Sequence, residues 1–257
     1  MHNQPSTLPI YIVSLLSDEQ RRSALKKQFK RHSQIFHYID AIDGRTIEAN
    51  LYFQQILPFY DFAKRLMTPS EVGCALSHAK ALDTFIESKN PYALILEDDI
   101  IGTDEQLQQL SELAPILPQS SVLIAGGQDG IKSSRLLGKH YQKDIYKVAN
   151  ISHSYITRAC CYLITREAAK KILDHHNKML TIADWWGTIL NGKKIDLFYQ
   201  EVLKHPLDLD NSNLEEDRII VSKSNKKSFR SFIKKESYRL VRNIKIFWLH
   251  LSGYRRL

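Results

Sequence analysis

The chain has 257 residues, 43% hydrophobic and 25% charged, enough to bury a sizeable core in one domain without disulfide support. Its three cysteines, Cys74, Cys160 and Cys161, form no C-x-x-C, which argues against a disulfide framework or zinc knuckle and for a reducing, cytoplasmic setting. The net charge of +8 is localised: residues 222–257 hold eleven Lys or Arg and one acid, leaving 25 bases against 27 acids elsewhere, so a basic appendage is expected rather than a nucleic-acid-binding body.

Residues 1–9 carry no Lys or Arg, and the apolar run from Ile10 is broken at Ser14, so no secretory segment is expected. No apolar run approaches the ~20 residues of a membrane span. Leu8 to Leu16 reads as a buried strand, and Ser17 or Asp18 caps a helix over Glu19 to Arg31. A second short strand covers Ile35 to Ile39, with a turn at Asp43-Gly44. Leu51 to Phe62 is aromatic-rich and ambiguous. Thr68-Pro69-Ser70-Glu71 opens a helix running to Ser88. The clearest strand is Tyr92 to Leu96, and others are expected at Ser121 to Ala125, Ala159 to Ile164 and Ile195 to Val202. Residues 128–153 read as loop-rich, Arg166 to His175 as a helix, and Asp184-Trp185-Trp186 as a short helix start. The alternation of strands and helices predicts an α/β fold around a mostly parallel sheet. A boundary near Arg218 to Ser222 divides a domain over 1–221 from a tail over 222–257.

Glu97-Asp98-Asp99 follows the clearest strand, placing three carboxylates at the sheet edge where open α/β folds bind ligands. Residues i and i+2 share a side in extended chain, so Glu97 and Asp99 converge and Asp98 points elsewhere. Adjacent like charges repel unless a cation sits between them. Hard oxygen donors favour Mg²⁺ or Mn²⁺, and such an ion would neutralise a diphosphate leaving group. An acidic turn with no ligand is the plainer alternative.

Three blocks carry a resemblance to glycosyltransferase family 25, the bacterial lipooligosaccharide galactosyltransferases and their relatives. They are Ile12-Val13-Ser14-Leu15 with Arg21-Arg22, the run from Thr68 to His78 of the form T-x-x-E-x-G-C-x-x-S-H, and Leu94 to Asp99. Weaker likeness continues through Ala159 to Ala169, Asp184 and Asn211 to Leu214. The resemblance implies a GT-A-like nucleotide-sugar-binding fold, a UDP-sugar donor, and inverting transfer of a hexose, galactose by family expectation, to a lipooligosaccharide or lipopolysaccharide acceptor.

On that reading Glu97 and Asp99 hold the divalent metal, while Ser14, Arg21, Arg22, Asp43, Ser77, His78, Glu97 and Asp98 face the donor. For Arg21 and Arg22 a solvated basic face is the alternative, for Asp43 a simple turn, and for Glu71 a helix cap. An inverting transfer needs a base for the acceptor hydroxyl. Asp184 is the candidate, beside tryptophans whose faces can stack on sugar rings, although an N-cap with two core tryptophans fits the same residues. His205, Asp208 or Asp210 would supply a third metal ligand. In the tail, Ile233, Leu240, Ile244, Phe247, Leu251 and Tyr254 recur at helical steps among basic residues, which fits an amphipathic helix on the anionic inner face of the cytoplasmic membrane. A sugar nucleotidyltransferase and a catalytically silent carbohydrate-binding or assembly protein are the competing classes.

Overall fold

The computed structural model describes residues 8–128, 135–206, 242–243 and 245–257. Strand β1 (Ile10–Ser14) is buried throughout and leads into α1 (Glu19–Gln28); β2 (Phe36–Asp40) follows. Next come α2 (Ala49–Ala63), α3 (Pro69–Glu87), β3 (Tyr92–Glu97), α4 (Asp104–Leu113) and β4 (Ser121–Gly126). The chain continues as β5 (Leu137–Gln142), β6 (Ile145–Val148), β7 (Cys161–Thr165), α5 (Arg166–Lys178), α6 (Trp186–Ile189), β8 (Asp196–Leu203) and β9 (Arg255–Arg256). The expected α/β class is what forms.

The sheet order is β2-β1-β3-β7-β4-β8-β6-β5-β9. It is mixed rather than mostly parallel in its pairings. β1 pairs in parallel with β2 and β3, and β4 with β8, but β7 lies antiparallel between β3 and β4. Five of the six strands from β2 to β8 still run one way, with β7 alone reversed. A strand buried on both faces carries the same apolar run in either direction. Residues 128–153 also depart from the expected loop. Their described part forms the hairpin β5–β6, whose outer positions are polar because it stands near the sheet edge.

Alternate strand residues build two cores. Tyr11, Val13, Ile95, Ile124 and Ile164 meet Ala81, Leu82 and Phe85 of α3 and Ala168 and Ile172 of α5. Ile10, Ile12, Leu94, Leu96 and Leu163 meet Leu25 and Phe29 on one side of the other core and Leu107, Leu110 and Leu113 of α4 on the other. α2 buries only Ile56 and Phe59, in a smaller cluster with Met67 and Ile182. It leaves Leu51, Phe53, Leu57 and Phe62 exposed, so its apolar residues trace no single stripe.

α3 starts as its sequence indicates. Thr68 accepts the Glu71 N–H, Glu71 accepts the Thr68 N–H, and Pro69 stands in the first turn, a capping box that satisfies two orphan donors. Arg65 clamps the same carboxylate at 2.8 and 2.9 Å. Against this helix lies the turn Gly44–Thr46, at a backbone-to-backbone separation that only glycine permits. A Cβ on Gly44 would sit 1.7 Å from the Pro69 carbonyl oxygen, and one on Gly73 2.4 Å from that of Ile42. The Ser77 hydroxyl completes the seam, accepting the Ile42 N–H at 2.8 Å and donating to the Gly73 carbonyl at 2.6 Å.

The expected boundary at Arg218 to Ser222, and with it Asp208, Asp210, Asn211 to Leu214 and the tail as far as Val241, lies outside the described residues. Residues 245–251 are helical, and they expose Phe247, Trp248 and Leu251. Beyond them β9 pairs with Leu137 and Gly138 of β5, and the Leu257 N–H donates to the Leu136 carbonyl at 3.0 Å. This end of the basic segment is stitched to the sheet. Among the described residues no helix is long and apolar enough to cross a membrane.

The seam between Gly44 and Gly73 is rigid backbone on both sides, so Gly73→Ala is expected to lower unfolding free energy by about 1–3 kcal/mol, as overpacking does. Urea denaturation of the variant beside the wild-type chain measures it, and an unchanged midpoint would mean that the seam yields.

Candidate active site

A cleft opens at the carboxyl ends of β1 and β3, walled by α3 and by the segments 158–160 and 182–184. Ser14, Arg21, Asp43, Ser77, His78, Glu97, Asp98, Asp99 and Asp184 all line it. Arg22, by contrast, is turned away. It donates to the Ser14 hydroxyl at 3.1 Å, to the Ser14 carbonyl at 2.9 Å and to Asp40 at 2.9 Å, and stacks over the Tyr38 ring. On a helix, neighbours diverge by about 100°, so Arg21 enters the cleft while Arg22 ties α1 to β1 and β2.

Each acid of the triplet has its own basic partner. His78, 3% exposed, places Nε2 3.1 Å from Glu97 Oε1 and Nδ1 3.1 Å from the Tyr162 hydroxyl. Arg21 donates to Asp98 at 3.0 Å. Burial pushes the Asp98 carboxyl up, and hydrogen bonds from Ser14 and Arg21 offset only part of that rise. Asp99 Oδ2 lies 3.4 Å from His205 Nε2. Burial would raise the Asp99 carboxyl, but His205 and Arg21 bring it below the ordinary aspartate range. For His205 burial works downward, and the Asp99 carboxylate overcomes it, holding the imidazole above its usual value.

His205 arrives from far along the chain by a defined route. Ile101, just after the triplet, exchanges two 2.9 Å backbone hydrogen bonds with Lys204. Gly126, at φ +119°, lets β4 approach so closely that a Cβ there would stand 2.0 Å from the Leu203 carbonyl oxygen. Gly127 then donates to that same oxygen at 3.0 Å.

Ligand atoms of Glu97, Asp99 and His205 all lie within 4.8 Å of one another. The second Asp99 oxygen, Oδ1, is buried and has no hydrogen-bond partner among the described residues. A buried carboxylate oxygen without a donor is costly. A divalent cation is what two carboxylates and an imidazole in this arrangement fit.

Asp184 takes part in an unusual turn. Arg158 adopts φ +76°, a conformation that costs a non-glycine residue about 1–3 kcal/mol. It is held there by three bonds: its N–H donates to Asp184 Oδ2 at 3.1 Å, its guanidinium to the Gly127 carbonyl at 2.7 Å, and Trp186 Nε1 to its own carbonyl at 3.3 Å. The flanking tryptophans are not cleft walls. Trp186 is buried against Tyr162, and Trp185 packs on Phe59 under Arg65. Asp43 is the turn residue its sequence suggested, capping the Arg45 N–H at 3.0 Å and holding the Arg45 guanidinium at 2.8 Å. That pairing lowers the Asp43 carboxyl. Ser77, 1% exposed, spends its hydroxyl on the seam already described.

Cys74, Arg45 and Arg158 also line the cleft and were missed from sequence. Cys74 stands one helical turn before His78, a signal that could have found it. Nothing local marks Arg158, whose place depends on its backbone conformation.

The sequence profile of glycosyltransferase family 25, described as an LPS biosynthesis protein family, matches residues 7–186. The chain belongs to glycosyltransferase family 25. Among curated relatives, the lipooligosaccharide biosynthesis protein lic2B of Haemophilus influenzae is 26% identical over 172 residues, covering 64% of this chain and 62% of that one. Procollagen galactosyltransferase 2 of Homo sapiens is 24% identical over 195 residues, covering 71% and 30%. Inactive glycosyltransferase 25 family member 3 of Mus musculus is 26% identical over 109 residues, covering 40% and 18%. The matched stretch thus spans less than two thirds of each of these relatives. Among solved structures, a glycosyltransferase involved in the glycosylation of the major capsid of PBCV-1 aligns with a TM-score of 0.40 and 11% identity over 82% of this chain and 99% of that one. The likeness is too distant to carry a functional argument.

The balance at His205 can be tested directly. In the metal-free wild-type protein its imidazole should titrate above the usual histidine value by NMR. In Asp99→Asn, with the carboxylate's charge removed and burial still acting downward, it should titrate lower than in the wild type. A raised His205 contributes stability that is present below its unfolded value and lost as pH rises through its folded one. The same titration in both proteins settles whether Asp99 is the cause.

Proposed function

We propose that the chain moves a hexose, in the first instance galactose, from a UDP-sugar to a lipooligosaccharide or lipopolysaccharide acceptor, with inversion at the anomeric carbon. The observation that carries this is the convergence of Glu97, Asp99 and His205, together with an Asp99 oxygen that is buried and has no hydrogen-bond partner among the described residues. It lies in a cleft at the strand ends where α/β folds bind nucleotides. Glu97, Asp99 and His205 would hold a Mn²⁺ or Mg²⁺ ion, which when bound supplies positive charge to the diphosphate of the donor.

The remaining roles fall to the chain's own groups. Ser14, Arg21 and Asp43 line the part of the cleft next to β1 and β2, where the nucleotide would lie, and Arg21 and Arg158 add positive charge beside its phosphates. Asp98, held by Arg21, would orient a donor hydroxyl, and Ser77 and His78 fix the α3 wall. Asp184 faces the same space from the 182–184 segment. In the transfer the acceptor oxygen bonds to the anomeric carbon while the bond to the diphosphate oxygen breaks. UDP departs with that electron pair, and Asp184 takes the acceptor proton. The basic segment, with Phe247, Trp248 and Leu251 exposed on its described helix, would rest on the anionic cytoplasmic face of the inner membrane, where a lipid-linked acceptor resides.

A second reading is a catalytically silent carbohydrate-binding protein on this fold, favoured by the matching relative that is named inactive. Two variants separate the readings. Calorimetric titration with UDP should show binding that needs Mn²⁺ and is lost in Asp99→Asn; absence of UDP binding with any metal overturns the donor site. Asp184→Asn should still bind UDP with Mn²⁺ but turn over about 10²–10⁴-fold more slowly. Full activity in that variant removes Asp184 from the chemistry, and no turnover by the wild-type chain with any UDP-sugar leaves the silent reading.

A further inference from the structure

Glu97 faces two sets of donors. One is the oxygen-rich set with Asp99 and His205; the other is Cys74 and His78 of α3, whose ligand atoms lie with that of Glu97 within 4.8 Å of one another. Cys74 and His78 are four residues apart on a helix, so their side chains project from one face, one turn apart. The same spacing lets paired helical ligands chelate an ion. Glu97 meets them from the end of β3. The 3.1 Å between His78 Nε2 and Glu97 Oε1 is close to the edge, about 3.3 Å, of a tetrahedron with metal–ligand bonds of about 2.05 Å.

The imidazole is also held as metal-binding histidines are held. Its other nitrogen, Nδ1, lies 3.1 Å from the Tyr162 hydroxyl, and an outer partner of this kind fixes both tautomer and ring plane. With the proton on Nδ1, Nε2 presents a lone pair towards a carboxylate oxygen, an arrangement a cation stabilises. Cys74 and Glu97 are half-buried and line the cleft, which leaves room for water at a fourth position. The neighbouring thiol of Cys160 is pushed well up by its hydrogen bond to Cys161 and by burial.

We propose that Cys74, His78 and Glu97 form a second cation site, one that takes a thiophilic ion of the Zn²⁺ class. A sulfur, a nitrogen and one carboxylate oxygen suit Zn²⁺ and not Mg²⁺. Loading displaces the thiol proton to solvent and draws Glu97 out of the oxygen-rich set. If the sugar-transfer reading holds, Zn²⁺ then inhibits the enzyme by taking one of its metal ligands. The site itself does not rest on that reading.

Co²⁺ reports such a site without any substrate. Added anaerobically to the full chain, it should give a near-ultraviolet thiolate-to-cobalt charge-transfer band that Zn²⁺ abolishes and Mg²⁺ does not. The band should vanish in Cys74→Ser and persist in Cys160→Ser and Asp99→Asn. Tyr162→Phe should keep it with about 10–100-fold weaker affinity, as loss of an outer partner does. As a check that needs no variant, Zn²⁺ should slow alkylation of Cys74 by iodoacetamide at least about tenfold, read by mass spectrometry. No band in the wild-type chain, a band surviving Cys74→Ser, a band lost with Cys160 or Asp99, or unprotected Cys74 would each overturn the proposal.

Discussion

Three adjacent carboxylates at the end of an apolar strand repel one another, and the surroundings of β3 answer that repulsion one acid at a time. His78 comes to Glu97 from α3, Arg21 to Asp98 from α1, and His205 to Asp99 from beyond β8. Each partner belongs to a different element, so the three acids are all partnered only when those elements are in place. Pairing of the acids and tertiary structure are therefore one constraint, and the cleft is the space that remains once it is met. Among the described residues, Asp99 Oδ1 is the triplet's buried oxygen that stays without a hydrogen-bond donor.

The sheet supplies the rigidity this demands. β3 lies between β1 and β7, with Leu94, Ile95 and Leu96 fully buried, so the triplet is launched from a strand paired on both sides and packed on both faces. The reversed strand β7 matters in the same way. Running against β3, it carries Tyr162 opposite Ile95 and behind His78, while the backbone just before it, at Cys160, accepts the Glu97 N–H at 2.8 Å. A strand running the other way would offer its opposite end at this place. The strained turn at Arg158 belongs to the same approach, since the chain must enter β7 beside the cleft rather than at the far edge of the sheet.

Much of this was legible in the amino-acid sequence, for reasons that differ from element to element. β1, β3 and the start of α3 each carry a local signal: a short apolar run, or Pro69 and Glu71 placed after Thr68. The triplet announced itself by charge density, and its family motif brought in His78. Other features have no local signature. Nothing in Cys161 to Thr165 indicates direction, because both faces of that strand are buried. α2 was ambiguous because its apolar residues lie on both flanks of the helix. The β5–β6 hairpin was hidden by the polar residues an edge position allows, and α4 was not anticipated although Thr103 and Gln106 form a capping box at its start. Arg21 and Arg22 could not be told apart, since only the helix phase decides which one reaches Asp98.

The pairing of β9 with β5 bears on how the molecule behaves in solution. An open sheet edge is a template for another chain's strand, and β5 would be such an edge. Arg255 and Arg256, both exposed, cover it with a short strand that carries two like charges outward, and Leu257 fills the space above Gly138. A strand from another molecule approaching this side of the sheet would therefore meet β9 and its exposed arginines rather than the open ladder of β5.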